Sequence, residues 1–273
     1  MAVPETTIGG QCELSFAPAD STTYHGASNF AWRSTGATND SRIVCPLTGT
    51  ITRFSILTHV NGTLGTSESV TLTLEQNGTN TALAVTQTWN AANVAIATDT
   101  DSISVAEGDT LGLELVTPAW TTNPTDVYVQ WQLQIEGTAG QAGWWQQCLG
   151  LASPADSTTY YLANNTSNPA TGAGATQRVL CPISGIIEKV FLYTRINGTL
   201  GSAQDVTYVF QINGTDTSAT ATQDWDVADV ALTTINASLP VNAGDKLGLE
   251  VTTPVWAPNP TAWRQQWGVQ IKT

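Results

Sequence analysis

Thr50-Ile-Thr-Arg-Phe-Ser-Ile-Leu-Thr58 alternates apolar and polar side chains, the pattern of a strand with one face in a core and the other toward solvent. Val70-Thr-Leu-Thr-Leu74 alternates again, runs through Gln76-Asn-Gly-Thr79 and resumes as Ala82-Leu-Ala-Val-Thr86. An Asn-Gly pair therefore stands where a tight hairpin turn needs positive φ. Residues 102–105 and 110–116 flank Ala106-Glu-Gly-Asp109 and read as a second hairpin, and residues 126–135 form another long alternating strand. No helical periodicity of useful length occurs, so the class is all-β. Turn signals about every 8 to 12 residues point to a sandwich of roughly eight strands. A jelly roll is favoured over an immunoglobulin sandwich because the cysteines do not bracket a central-strand tryptophan, and it places the first and last strands in one sheet.

The same strands are written twice. Laid on itself at a spacing of 136, the chain matches without a gap from Gln11 onward, and 56 of the 127 paired positions are identical. Pro18-Ala-Asp-Ser-Thr-Thr-Tyr24 recurs letter for letter at 154–160, and Asn61-Gly-Thr-Leu-Gly65 at 197–201. Two tandem jelly-roll-like antiparallel β-sandwiches related by internal duplication follow. The expected divisions are an N-terminal arm at 1–10, a first sandwich at 11–136, a linker at 137–146 and a second sandwich at 147–273.

Composition narrows the partners. The formal net charge is -13, from 9 Lys plus Arg against 22 Asp plus Glu, which argues against nucleic acid and anionic membrane surfaces. MAVPETTIGG at the start lacks the basic and apolar stretches of a signal peptide, and no apolar run approaches the roughly 20 residues of a membrane span. Synthesis in a cytoplasm is the expectation. Cys12, Cys45, Cys148 and Cys181 form two equivalent pairs. Duplication favours Cys12–Cys45 and Cys148–Cys181 if bonds exist, and reduced, buried thiols are the simpler reading.

Catalytic chemistry has little to draw on. The two histidines, His25 and His59, are replaced by Tyr161 and Arg195 in the second copy, and no nucleophile elbow or zinc-protease helix is present. Glu114 and Glu250 match, but each sits on the polar side of an alternating strand, where an exposed glutamate is ordinary. Asp224, Asp226 and Asp229 crowd one loop without the glycine and closing glutamate of a calcium hand. The reading is a protein without enzymatic activity, cofactor or metal.

What the copies do not share is informative. Trp32, Trp263 and the Trp144-Trp145 pair answer to Asn168, Val127 and Ile8-Gly9, so the common fold does not require them, and they become candidates for inter-domain or partner contacts. The Trp144-Trp145 pair is expected to pin the linker. Asp20 and Asp156, in the repeated heptapeptide, are turn formers first and partner contacts second.

Cys45-Pro46-x-x-Gly49 and Cys181-Pro182-x-x-Gly185 open alternating strands, and Gly108-Asp109 and Gly244-Asp245 precede Leu-Gly-Leu-Glu. With the Asn-Gly hairpins, the chain resembles jelly-roll decoration, or cement, proteins of tailed-bacteriophage capsids. The resemblance implies a non-catalytic virion protein, made in the bacterial host cytoplasm, that sits on the outer capsid surface. It implies the major capsid protein as partner and a homo-oligomer, a trimer being favoured. Two other readings stay open: a glycan- or receptor-binding module of a phage tail or bacterial surface, and a double jelly-roll shell protein.

Overall fold

The computed structural model describes residues 5–12, 17–26, 42–90, 94–137, 141–147, 151–162, 171, 179–198, 200, 204–225 and 230–273. Contacts divide the chain into two units, Met1–Ala139 and Gly140–Thr273.

The first unit contains β1 (Glu5–Cys12), β2 (Thr23–Gly26), β3 (Ile43–Val44), β4 (Gly49–Asn61), β5 (Glu68–Gln76), β6 (Thr79–Trp89), β7 (Val94–Asp99), β8 (Ile103–Val105), β9 (Thr110–Val116) and β10 (Asp126–Gly137). One sheet runs β1-β10-β4-β7 with β8 also on β4, and the other runs β2-β9-β5-β6 with β3 also on β9. The pairs nest: β1 with β10, β2 and β3 with β9, β4 with β7 and β8, β5 with β6, every one antiparallel. A long hairpin rolled so that successive pairs fall in alternate sheets gives this order, which is the jelly roll. The first and last strands share a sheet, as expected.

The second unit repeats it with β11 (Gln141–Gln147), β12 (Leu151–Ala152), β13 (Thr159–Leu162), β14 (Val179–Leu180), β15 (Gly185–Asn197), β16 (Gln204–Ile212), β17 (Thr215–Trp225), β18 (Val230–Val241), β19 (Lys246–Thr252) and β20 (Ala262–Lys272). Its sheets run β11-β20-β15-β18 and β13-β19-β16-β17. Among the described residues no helix is long and apolar enough to cross a membrane.

Two boundaries change. Glu5–Cys12 is not an arm but strand β1, pairing Ile8 with Leu133, and Gln141–Gln147 is not a linker but strand β11, pairing Trp144 with Val269. Small residues in both leaders hid their extended, hydrogen-bonded state.

Local chemistry explains the repeated motifs. Ile51, Phe54, Ile56 and Val60 point into the core, and the step from 51 to 54 is absorbed because the pairing skips Thr52. Pairing between β15 and β20 skips the equivalent Glu188. Asn77-Gly78 and Asn213-Gly214 have φ of 52, 82, 53 and 85°, the double left-handed turn that a two-residue hairpin requires. Asn77 then donates to Asp109 Oδ1 and accepts from the Thr110 N–H, both at 2.8 Å. Asp109 Oδ2 takes the Ala106 N–H at 2.7 Å.

That second turn is not a hairpin. It carries the chain from β8 in one sheet to β9 in the other, a distinction that alternation alone cannot make. Nor is Asn61-Gly62 a hairpin turn. Gly62, at φ 104°, lies against Thr125, whose N–H donates to Asn61 O at 3.0 Å.

Packing differs between the copies. In the first core Trp89 stacks on Trp120 at 5.8 Å. In the second, Trp225 touches both Trp256 and Trp263 at 5.4 Å, and Phe210 meets Trp267 edge-on at 5.6 Å. Leu72, Leu74 and Val127 of the first copy stand where the second has Tyr208, Phe210 and Trp263, so the duplicate fills its core with rings.

Candidate functional site

The repeated heptapeptide docks on its own domain. Ser21 takes φ 45° and donates its N–H to Pro118 O at 2.8 Å, while Asp20 Oδ1 accepts the Trp120 backbone N–H at 3.2 Å. The Trp120 indole N–H donates to Ala19 O at 3.1 Å, and Asn123 Nδ2 to Pro18 O at 2.9 Å. In the second copy Asp156 Oδ1 accepts from the Trp256 N–H at 3.1 Å and from Asn259 Nδ2 at 2.9 Å. Both aspartates are exposed yet engaged in fastening a loop, which accounts for their repetition.

Trp263, expected as a contact residue, is 1% exposed and leans on Tyr160 at 5.6 Å. It is a core residue, because Ala262–Lys272 turns it inward at the position Val127 fills in the first copy. Trp144 and Trp145 lie in β11, and Trp32, Asp226 and Asp229 lie outside the described residues. The reduced reading of the cysteines holds at two positions: Cys45 and Cys181 are free, buried thiols, donating to Leu47 O and Ile183 O at 3.1 Å. Burial pushes the Cys45 thiol up to about 12.

One outer face of each domain carries polar groups that the sequence did not flag as a set. On β2, β9 and β5, His25 pairs across the ladder with Glu114, and Glu114 with Thr73; Glu75 lies opposite Gly112. His25 Nδ1 stands 3.3 Å from Glu75 Oε1, and Asn80 Nδ2 donates to Glu114 Oε1 at 2.6 Å. Glu75 is only 3% exposed, an unusual fate for a carboxylate on the outside of a sheet. Arg42, also buried, crosses Gly112 beside it.

The second domain fills the same place with a different set, in which Asp216 stands where the first domain has Asn80. Tyr161 and Gln211 replace the histidine and the glutamate, and Gln211 Nε2 donates to Glu250 Oε2 at 3.0 Å and Asp216 Oδ1 at 2.7 Å. Burial and the nearby Asp216 charge raise the Glu250 carboxyl, against a lowering by the Tyr161 hydroxyl. The signal available in the sequence was the exchange of His25 and Glu75 for Tyr161 and Gln211 between copies.

The other sheet of the first domain carries an apolar strip along one edge of an otherwise polar outer face. Tyr128 and His59 stack at 5.9 Å, and along the edge strand β7 Val94 and Ile96 are 58% and 72% exposed beside Leu57. Leu232, equivalent to Ile96, is 44% exposed. Seven tryptophans have described side chains, Trp89, Trp120, Trp131, Trp225, Trp256, Trp263 and Trp267, and all seven are buried.

No protein-family model matches the chain. No curated protein matches it either. Among solved structures it is similar to the cowpea mosaic virus top component (12% identity, 98% of this chain and 88% of that one, TM-score 0.32). It is also similar to broad bean stain virus (8%, 99% and 89%, 0.32). A third similarity is to the CBM22-1-CBM22-2 tandem domain of Paenibacillus barcinonensis Xyn10C (12%, 97% and 98%, 0.25). The fold assignment rests on the strand pairing above; these likenesses assign no partner or activity.

Proposed function

We propose that this chain is a non-enzymatic structural protein of a virion, a decoration or cement protein that binds the outer surface of the major capsid shell and bridges neighbouring subunits. The observation that carries the reading is the exposed apolar edge, Val94 and Ile96 in the first domain and Leu232 in the second. Solvent-facing apolar side chains on an edge strand invite a protein partner, and a tandem pair offers two such edges, raising avidity without new chemistry. The acidic balance of the chain keeps decorated particles soluble. Assembly as a homo-oligomer, a trimer, belongs to the same proposal. The glycan- or receptor-binding reading gains nothing from the seven described tryptophan side chains, which are buried.

The test mixes the purified protein with undecorated capsids of its virus. Saturable binding at a fixed ratio to the capsid subunit and a raised capsid melting temperature are expected, both weakened by Ile96→Asp and Leu232→Asp. Absence of binding together with a positive glycan screen overturns the proposal.

A further inference from the structure

We propose that His25, Glu75 and Glu114 form a binding site for a first-row divalent metal ion, zinc being the probe of choice, on the first jelly roll alone. The donors come from three strands that are hydrogen-bonded neighbours, so the ladder fixes their relative places. One donor atom from each residue lies within 4.8 Å of the others. The separation of 3.3 Å between His25 Nδ1 and Glu75 Oε1 is close to the ~3.4 Å edge of a tetrahedral shell with ligands about 2.1 Å from the ion.

Among the described residues His25 Nδ1 is buried without a hydrogen-bond partner. It thus faces Glu75 at coordinating distance without the alignment of a hydrogen bond. An imidazole with two carboxylates is a borderline nitrogen and oxygen donor set, suited to zinc and its neighbours. The Asn80 donation to Glu114 Oε1 orients that carboxylate and leaves Oε2 for the ion, as outer-shell partners do in metal sites. Gly112 keeps the floor clear, since a β-carbon there would stand 3.3 Å from Glu75 Oε2.

The duplicate is an internal control. Its strands pair in the same way with Tyr161 and Gln211 at the two positions, so the jelly roll itself demands neither the imidazole of His25 nor a carboxylate in place of Glu75, although the duplicate carries a second carboxylate nearby in Asp216. Two carboxylates outnumber the single Arg42 guanidinium in the first cluster, and a divalent cation compensates the buried Glu75 charge. Arg42 also limits the affinity, because the ion must bind near a fixed positive charge.

Calorimetric titration of the full chain with zinc chloride tests this. One ion per chain and a higher melting temperature are expected. His25→Gln and, separately, Glu114→Gln reduce zinc affinity at least tenfold while metal-free circular dichroism stays native; if one variant fails to fold, the other carries the test. Cobalt binding is expected without thiolate-to-metal charge-transfer absorption. No zinc binding by the unaltered chain, unchanged affinity in the folded variants, or a thiolate band that assigns the ion to cysteines overturns the proposal.

Discussion

Trp225 donates its indole N–H to the Tyr208 hydroxyl at 3.0 Å, whereas the equivalent Trp89 donates to Gln87 Oε1 at 3.1 Å. Leu72 occupies the Tyr208 position in the first copy, so the two domains satisfy one buried indole by different means. Tyr208→Phe leaves that indole N–H without its acceptor and lowers the stability of the second domain by about 1–3 kcal/mol. Calorimetry of the full chain reads this as a downward shift of one unfolding transition with the other unmoved.

Two glycines of the second domain separate backbone strain from crowding. A β-carbon on Gly244 meets nothing within 4 Å at φ 92°, while one on Gly198, at φ 106°, lands 2.7 Å from the Thr261 backbone nitrogen. Gly244→Ala is expected to cost about 1 kcal/mol through φ alone. Gly198→Ala costs more, since backbone must move, and urea midpoints of the two variants rank them.

Acid selects the turn aspartates. Hydrogen bonds from Asn213 and from the Asn242 backbone hold the Asp245 carboxyl below its ordinary value. For Asp109, burial pushes upward but the Ala106, Asn77 and Gln76 donors outweigh it. Folded values below the unfolded ones mean stability that is full above the ordinary carboxylate range and lost as pH falls through the folded values. Melting temperature is therefore expected to drop steeply below pH of about 4, and Asp109→Asn and Asp245→Asn flatten that drop.

Thiol chemistry reports the cores. With burial the leading cause and the Asp109 and Glu107 charges adding to it, the Cys45 thiol stays protonated at neutral pH, and only a thiolate attacks iodoacetamide readily. Native protein is expected to leave Cys45 unlabelled, denatured protein to label it fully, and peptide mass spectrometry distinguishes the two. Labelling of Cys45 in the native state contradicts its burial.

Asp20 and Asp156 separate fastening from recognition. Asp20→Ala and Asp156→Ala each lose about 1 kcal/mol as the Trp120 and Trp256 N–H groups lose an acceptor. Capsid binding by the folded variants is expected to stay unchanged.

The β class, the duplication and the turns at Asn77-Gly78 and Asn213-Gly214 were legible because period-2 alternation and left-handed turn chemistry are local. Sheet membership was not: whether the turn at 106–109 joins partners or crosses between sheets depends on what each strand meets far away in the chain. Glu5–Cys12 looked like an arm since Thr, Gly and Gln write no alternation, yet eight backbone pairs with β10 make it a strand. Trp263 misled by the same route: absence of a tryptophan from the first copy marked it as surplus, while the second core had enlarged around it. At the His25 cluster the residues were visible singly, but their convergence needed the register of β2, β9 and β5.

The rung order between β1 and β10 sets how each domain bears mechanical load. Glu5 lies opposite Glu136, and Gln141 opposite Lys272, so both ends of a domain emerge at the same end of one ladder. Tension applied through those ends unzips that ladder one rung at a time instead of shearing all its hydrogen bonds together. A molecule wired this way yields when tugged by its termini and holds best when gripped across its faces.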